Sequence, residues 1–270
     1  MSGKVYIVGA GPGAADLLTL RAATVLRAAQ VVLHDDLVPQ EILDLCPASA
    51  QVINVGKRCG NRGRSQEQIN ALMVWHARET QSETIVRLKS GDPAVFGRLG
   101  EELDALRRAG VEFEIVPGVT AASAAAASAK ITLTDRRAAS ALVVVTAHNI
   151  RSEKLRVDGF NLAQTTIAVY MPGPDYGRAA RELMDSGVAA DTPCAMVSNA
   201  GRKEERVLFL PLHEVPSIRG IPAPALLIVG EVARLNSQQA SNDLGDLIHS
   251  VELSLNDNSG IRIQASTQPL

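Results

Sequence analysis

The stretch with the clearest chemical potential is a glycine-rich loop near the start of the chain. Residues 9–14 read Gly-Ala-Gly-Pro-Gly-Ala, directly after the apolar run Val5–Val8. This spacing matches the G-x-G-x-x-[GA] fingerprint of loops whose backbone N–H groups cradle a dinucleotide pyrophosphate. Asp35 and Asp36 follow a second apolar run, Val31–Leu33, where such a site would hold a ribose hydroxyl. The pattern suggests a nicotinamide- or flavin-dependent enzyme as a first hypothesis.

Pro12 argues against that hypothesis. Proline has no backbone N–H, so it removes one donor that would bind a pyrophosphate. Better helix starts occur several residues later, at Asp16 and Thr19, because these side chains cap helix N-termini. The positive end of the helix dipole then lies away from the glycines, which favours a ligand other than a dinucleotide.

Small-residue loops follow apolar runs along most of the chain. Besides residues 9–12, they occur at 90–93, 117–120, 171–174 and 199–201. The carboxyl ends of parallel strands share one edge of an open sheet, and ligands bind at that edge. These loops predict a cleft walled largely by backbone, suited to a ligand with adenine, ribose and amino-acid groups.

The order of the elements predicts two α/β domains with this cleft between them. Apolar, β-branched runs alternate with helical patterns, which is typical of a mostly parallel sheet with helices on its faces. After Pro117-Gly118 the sequence changes to an alanine-rich helical pattern and then to a second series of strands. We therefore place an N-terminal domain at 1–117, a C-terminal domain at 118–235 and a polar tail with one amphipathic stretch at 236–270. Helices are predicted at Leu17–Ala29, Gln66–Arg78 and Thr120–Ala129. Strands are predicted at Val5–Val8, Val31–Leu33, Val52–Val55, Thr84–Leu88, Phe113–Val116, Leu142–Thr146, Thr166–Met171, Cys194–Ser198, Val207–Leu210 and Leu226–Val229.

Composition excludes several classes of function. The chain has 270 residues, 46% of them hydrophobic and 21% charged, with a net charge of −2, which is typical of a soluble globular protein and gives no signature of nucleic-acid or membrane binding. Its three cysteines, Cys46, Cys59 and Cys194, are far apart, and the histidines form no metal-binding motif. We therefore expect a cytoplasmic protein with no metal site, no nucleic-acid partner and no membrane segment.

Six segments resemble the tetrapyrrole methylases. They read V-Y-I-V-G-A-G-P-G-A-A-D-L-L-T-L, H-D-D-L-V-P, G-K-R-C-G, V-R-L-K-S-G-D-P-A-V-F-G-R-L-G-E-E, I-V-P-G-V-T-A-A-S and V-Y-M-P-G. They occur in the family's order, and the resemblance covers about residues 4–233. Within the family the chain is most similar to the branch that methylates uroporphyrinogen III to precorrin-2.

The resemblance implies an S-adenosylmethionine-dependent methyltransferase that works as a homodimer on a small-molecule acceptor. The cofactor, released as S-adenosylhomocysteine, would bind in the cleft between the domains. Asp92 would hold a ribose hydroxyl or the ammonium group of the cofactor. Carried over residue by residue, the cofactor-binding residues are Pro12, Ser90, Gly91, Asp92, Val95, Thr120, Ala121, Met171 and Ala200.

Two further motif positions are candidates for the chemistry at the methyl acceptor. Asp35 is the candidate base that removes a proton from the methylated ring, and Lys57 is the candidate donor or electrostatic partner. Uroporphyrinogen carries eight carboxylates, and arginine binds carboxylates through paired hydrogen bonds. The candidate acceptor-binding residues are Arg58, Arg62 and Arg64 of a basic loop, together with Arg87 and Arg98.

The chain departs from the family pattern at Asp36, Ser90, Leu99 and Asp135. Asp36 and Asp135 add negative charge where a polyanionic acceptor is expected, which is electrostatically unfavourable. An alternative is therefore a recruited family member that methylates an indole-type ring carbon in specialised metabolism. A cofactor-binding module without catalysis is an alternative of another class.

Overall fold

Two five-stranded sheets form the framework of the described chain. The structure is a computed structural model that describes residues 3–56, 64–80, 82–147, 155, 157, 159–173 and 176–234. Lys57, Arg58, Arg62 and the predicted tail at 236–270 lie outside the described residues. The strands of the two sheets fall on either side of the predicted boundary at residues 117 and 118.

The first sheet is parallel throughout and contains the five strands predicted for the N-terminal half. Its spatial order is β3-β2-β4-β1-β5, which places β4 at the centre with β2 and β1 on either side. The carboxyl ends of all five strands therefore share one edge, as the sequence predicted. The strands are β1 (Lys4–Gly9), β2 (Val31–His34), β3 (Gln51–Asn54), β4 (Thr84–Lys89) and β5 (Phe113–Val116).

Helices cover both faces of the first sheet. Val86 and Leu88 of β4 face a core that includes α1 (Leu20–Arg27) and α2 (Gln40–Leu43). Ile85, which points to the opposite face, packs with α3 (Gln66–Glu79) and α4 (Leu99–Arg108). The alternation follows from the two-residue period of a strand. Arg87 and Lys89 share the face of Ile85, so their charges are directed toward α4.

The first helix begins at the later of the two predicted starts. Thr19 is the N-cap of α1, and its side chain accepts a hydrogen bond from the Ala22 N–H. Asp16 lies in a preceding 3₁₀ turn, Ala15–Leu17. The start of α1 is thus separated from the glycine-rich loop by this turn.

The second sheet is mixed and largely antiparallel, which corrects the expectation of a mostly parallel sheet in this half of the chain. Only β6 and β7 are parallel; β10 lies antiparallel between β7 and β8, and β9 pairs antiparallel with β8. The segment between β8 and β9 is too short for a crossover helix, so the two strands form a hairpin. Both β7 and β8 run opposite to β10, so their carboxyl ends still share one edge. The strands are β6 (Ala141–Thr146), β7 (Thr165–Tyr170), β8 (Pro193–Ser198), β9 (Arg206–Pro211) and β10 (Ala225–Val229).

Helices α5 (Ala121–Ala129) and α6 (Tyr176–Asp185) pack on opposite faces of the second sheet. The buried side of α5 consists of alanines, which let the helix axis approach Ala168, Ala195 and Ile228 closely. Leu183 of α6 is fully buried against the other face. Further 3₁₀ helices lie at Leu162–Gln164, Leu212–Ser217 and Glu231–Ala233.

A buried histidine in α3 predicts a pH-dependent stability. His76 is 2% exposed, neither ring nitrogen has a hydrogen-bond partner among the described residues, and burial lowers its pKa. The unfolded chain therefore binds a proton near pH 6.5 that the folded state resists, so stability falls as the pH drops below this value. We expect His76→Phe to remove a slope of up to about 1.4 kcal/mol per pH unit from the free energy of unfolding. Urea titrations between pH 7 and pH 5 measure this slope, and identical slopes in variant and wild type would contradict the prediction.

Candidate functional site

A cavity of about 370 Å³ is lined by loops from both sheets. Its volume lies in the range of small-molecule sites, roughly 300–1,000 Å³. The walls come from the loops after β1, β2, β3, β4, β7 and β8, from the start of α5 and from the amino end of β10. Small-residue loops from both halves thus meet in one place, as the sequence predicted.

The residues expected at the cofactor are brought together in this cavity. All nine of them contribute to its lining, and so does Asp35. The geometry therefore groups these residues, while their individual binding roles remain predictions. They are Pro12, Ser90, Gly91, Asp92, Val95, Thr120, Ala121, Met171 and Ala200.

Three glycines let the backbones of the loops touch at the base of the cavity. A Cβ atom on Gly9 would lie 2.6 Å from the Gly118 nitrogen, and one on Gly118 would lie 2.4 Å from the Gly91 oxygen. Gly11 and Gly91 exchange a pair of backbone hydrogen bonds of 3.1 and 2.7 Å. The Gly11 N–H is thus used within the protein and is not free to bind a pyrophosphate, which argues against the dinucleotide hypothesis.

Asp92 connects two of the loops. Its Oδ1 accepts a hydrogen bond from the Ala94 N–H at 2.8 Å, and its Oδ2 accepts one from the Gly118 N–H at 3.0 Å. Each carboxylate oxygen has a further lone pair, so these contacts leave acceptor capacity toward the cavity. Asp92 therefore supports the loop architecture in addition to lining the site.

Tyr170 is a site residue that the sequence analysis quoted in a motif without assigning it a role. Its hydroxyl accepts a hydrogen bond from the Ala122 N–H at 2.9 Å and lies 2.6 Å from Thr120 Oγ1. It thereby satisfies a free backbone donor in the first turn of α5. Its ring contacts Phe96, with centroids 5.2 Å apart.

Asp35 is held in the cavity wall by a buried arginine. Arg87 Nη2 donates to Asp35 Oδ1 at 2.5 Å, and the Ser90 N–H donates to Asp35 Oδ2 at 3.3 Å. The Arg87 side chain is 3% exposed and also donates to the carbonyl oxygens of Leu33 and Leu88. Charge-assisted bonds of this kind fix the orientation of a carboxylate.

The charge of Arg87 is balanced by a second, fully buried carboxylate. Glu102, in the first turn of α4, accepts from Arg87 Nε at 2.9 Å and lies 2.9 Å from Lys89 Nζ. Burial lowers the pKa of Lys89, and the positive charge of Arg87 lowers it further. Asp35, Arg87, Glu102 and Lys89 thus form one ion-paired group beneath the cavity.

The arginines expected to bind the acceptor occupy different environments. Arg87 lies beneath the cavity and holds Asp35, so direct contact with an acceptor has no geometric support. Arg98 is exposed and pairs with Glu101 through hydrogen bonds of 2.8 and 2.7 Å. Arg64 Nη1 donates to the Asn54 carbonyl oxygen at 3.2 Å. Neither Arg98 nor Arg64 lines the described cavity.

The two acidic departures from the family pattern differ in their surroundings. Asp135 pairs with Arg137, whose side-chain and backbone hydrogen bonds lower the pKa of Asp135 to about 2. Its negative charge is therefore offset locally. Asp36 lines the cavity and accepts a hydrogen bond from Asn54 Nδ2 at 3.2 Å.

Several lining residues escaped the sequence analysis. Pro224, Ala225 and Leu226 reach the cavity because β10 runs antiparallel and begins at the edge where its neighbours end. Arg202, in the loop after β8, also lines the cavity. The sequence analysis had identified residues 199–201 as one of the loops at this edge. The position of Arg202 directly after that loop was therefore the signal that could have identified it as a lining residue.

Metal and membrane signatures are lacking in the part of the chain that the structure describes. No group of three or more His, Cys, Asp or Glu side chains is arranged there so that it could hold a metal ion. Nor does any helix within those ranges have the length and apolarity needed to cross a membrane.

Comparison with known proteins gives a consistent family assignment. The model of the Tetrapyrrole (Corrin/Porphyrin) Methylases matches residues 4–216. Uroporphyrinogen-III C-methyltransferase of Paracoccus denitrificans is 44% identical over 238 residues, which cover 86% of this chain and 82% of the relative. Siroheme synthase 1 of Cronobacter sakazakii is 44% identical over 92% of this chain, which spans 54% of that longer protein.

The solved structures agree with this assignment. Uroporphyrin-III C-methyltransferase from Thermus thermophilus, in complex with S-adenosylhomocysteine, matches with a TM-score of 0.74 and 37% identity, covering 86% of this chain and 94% of that one. The two-sheet architecture, the loop cavity and the sequence motifs therefore have one common explanation. The chain belongs to the tetrapyrrole methylase family.

Proposed function

We propose that this chain is an S-adenosylmethionine-dependent C-methyltransferase that converts uroporphyrinogen III to precorrin-2. The cavity carries the proposal, because it gathers all nine residues expected at the cofactor together with Asp35. The named activity of the relatives and the S-adenosylhomocysteine in the similar Thermus thermophilus structure support it.

The residues of the cavity fit the cofactor. Gly91 has a φ of +70°, and a Cβ atom there would meet no protein atom within 4 Å, so its backbone is open to close approach by a ligand. Ala121 and Ala200 are small, and Met171 offers an apolar surface that is 45% exposed. Asp92 supplies carboxylate oxygens for a ribose hydroxyl or an ammonium group.

The acceptor side of the proposal depends on Asp35. When bound, S-adenosylmethionine supplies an electrophilic methyl group that a ring carbon attacks, leaving a neutral thioether. The methylated ring must then lose a proton, and we assign its acceptance to the Asp35 carboxylate. Arg87 and the Ser90 N–H fix this carboxylate while each oxygen keeps a lone pair. Lys57 keeps its proposed role as donor or electrostatic partner, and Arg58 and Arg62 keep theirs as ligands of the acceptor carboxylates.

An indole-type acceptor is a second candidate with narrower support. The argument for it was the extra negative charge at Asp36 and Asp135. Because Asp135 is paired with Arg137, only Asp36 still places an extra carboxylate at the cavity. One of the two charges that argued against a tetrapyrrole is therefore neutralised within the protein.

We further propose a cytoplasmic homodimer. Leu142 and Val144 on edge strand β6 and Phe209 on edge strand β9 are each about 40% exposed on the same face of the second sheet as α5, which supports burial against a second copy. Cys46 and Cys194 are free thiols, in keeping with a reducing compartment.

Sedimentation equilibrium is expected to give twice the chain mass of 28.6 kDa, and fractionation of cells should recover the protein with the cytosol. A monomer at micromolar concentration would contradict the dimer.

Mass spectrometry of the reaction products tests the proposed activity directly. The purified protein is incubated anaerobically with S-adenosylmethionine and enzymatically generated uroporphyrinogen III. We expect products heavier by one and two methyl groups, since the proposed product carries two. Cofactor binding without any such product would overturn the tetrapyrrole assignment, and an indole would then be the next acceptor to test.

Two conservative variants separate the proposed cofactor and acceptor roles. Asp35→Asn should leave S-adenosylhomocysteine binding unchanged and slow turnover on the order of 100-fold or more, because it removes the base. Asp92→Asn should weaken that binding about 10-fold, because it removes a charged acceptor and also one of the two loop hydrogen bonds, since the amide nitrogen cannot accept from an N–H group. Calorimetry and initial rates measure both effects. A fully active Asp35→Asn enzyme would exclude Asp35 as the base.

A further inference from the structure

The loop between β8 and β9 is a rigid platform beside the cavity. Glu205 Oε2 accepts a hydrogen bond from the Gly201 N–H at 2.7 Å and another from the Ser128 hydroxyl of α5. Asn199 and Gly201 adopt positive φ angles of 51° and 72°, which turn the loop sharply at the end of β8. The platform holds Arg202 in a fixed place at the cavity.

Arg202 reaches from this platform to the loops of the first sheet. Its Nε donates to the Pro12 carbonyl oxygen at 3.1 Å, and its Nη2 donates to the Leu37 carbonyl oxygen at 2.9 Å. Gly13 makes room for it, since a Cβ atom at that residue would lie 2.3 Å from Arg202 Nε. The guanidinium is therefore part of the cavity wall at the junction of the two halves of the chain.

The charge of Arg202 has no ion-pair partner among the described residues. The other charged lining residues are all acids, namely Asp35, Asp36 and Asp92. Asp35 is paired with Arg87, whereas both hydrogen bonds of Arg202 go to neutral carbonyl groups. Burial lowers the pKa of Arg202, an effect that nearby Glu204 only partly offsets. A half-buried cation without a counter-charge is costly unless an anion joins it.

The unused donors of Arg202 define the chemistry of that anion. Its Nη1 has no hydrogen-bond partner among the described residues, while Nε and Nη2 orient the guanidinium plane. A guanidinium presents its donors in a rigid plane that matches a carboxylate. We propose that Arg202 binds a carboxylate of a ligand in this cavity, and this inference rests on the proposed function because cofactor and acceptor both carry that group.

Calorimetry with two forms of the cofactor product distinguishes the two sources of carboxylate. The probes are S-adenosylhomocysteine and its decarboxylated analogue, which lacks only the carboxylate. The variant Arg202→Gln keeps a polar side chain and removes the charge, and Arg202→Lys restores the charge. Lys203→Gln is the matched control, because Lys203 is the neighbouring cation, is 88% exposed and does not line the cavity.

If the carboxylate belongs to the cofactor, we expect Arg202→Gln to affect the binding of only one of the two cofactor forms. Arg202→Gln should then weaken S-adenosylhomocysteine binding about 10-fold or more and leave binding of the decarboxylated analogue unchanged. Arg202→Lys should recover part of the loss. A carboxylate from the acceptor instead predicts unchanged S-adenosylhomocysteine binding and a KM for uroporphyrinogen III raised about 10-fold.

Three other results would overturn the inference. In the first, Arg202→Gln has the same cofactor-product affinity and the same KM for uroporphyrinogen III as the control Lys203→Gln. In the second, Arg202→Gln weakens the binding of S-adenosylhomocysteine and of its decarboxylated analogue equally, which indicates a loosened cavity rather than a lost carboxylate contact. Wild-type protein that binds neither form would overturn the proposed function and this inference together. When the wild type binds normally, either of the first two results would overturn the inference alone.

Discussion

The contact of Gly9, Gly91 and Gly118 is the constraint on which the cavity depends. Their backbones approach so closely that a single methyl group at Gly9 or Gly118 would lie within 2.4–2.7 Å of another loop. This contact places the ends of β1, β4 and β5 side by side, and the residues that follow them form the cavity wall. In the same region the Gly11 N–H donates to the Gly91 carbonyl oxygen, so it is not available to a dinucleotide pyrophosphate.

Buried charge is the second organising feature. Two acids and two bases, Asp35, Arg87, Glu102 and Lys89, are joined beneath the cavity by contacts of 2.5–2.9 Å. Removing an ion from water costs roughly several kcal/mol, so such a group adds little net stability even when it is well paired. Its consequence is geometric, because it fixes one carboxylate at the cavity surface. Arg87, a candidate acceptor ligand by sequence, therefore positions Asp35 instead.

The second sheet completes the site through its strand directions. Strands β7 and β8 bring Met171 and Ala200 to the shared edge, and the antiparallel β10 adds Pro224 at its beginning. The hairpin loop after β8 carries Arg202 across to the carbonyl groups of Pro12 and Leu37. Both halves of the chain are thus needed to enclose a ligand that neither half surrounds alone.

The sequence by itself determined the strands, the family and the loops that form the site, but of the six α-helices in the described residues it located only α1, α3 and α5. Apolar, β-branched runs located all ten strands of the described residues, Thr19 was one of two predicted starts of α1, and the motifs named nine residues that share one cavity. Strands and helix caps depend on residues that are close together in the sequence. The family and its site loops were recognised from motifs, which are defined by the order of their residues.

Only the tertiary structure decided the direction of β10, the burial of Arg87 and the reach of Arg202. Strand direction depends on which strands pair, and the partners of Arg87 lie 52 and 15 residues away from it in sequence. Arg202 meets Pro12 across 190 residues. A lone arginine in a sequence reads as a surface cation, and its role becomes visible only when folding removes its water and supplies its neighbours.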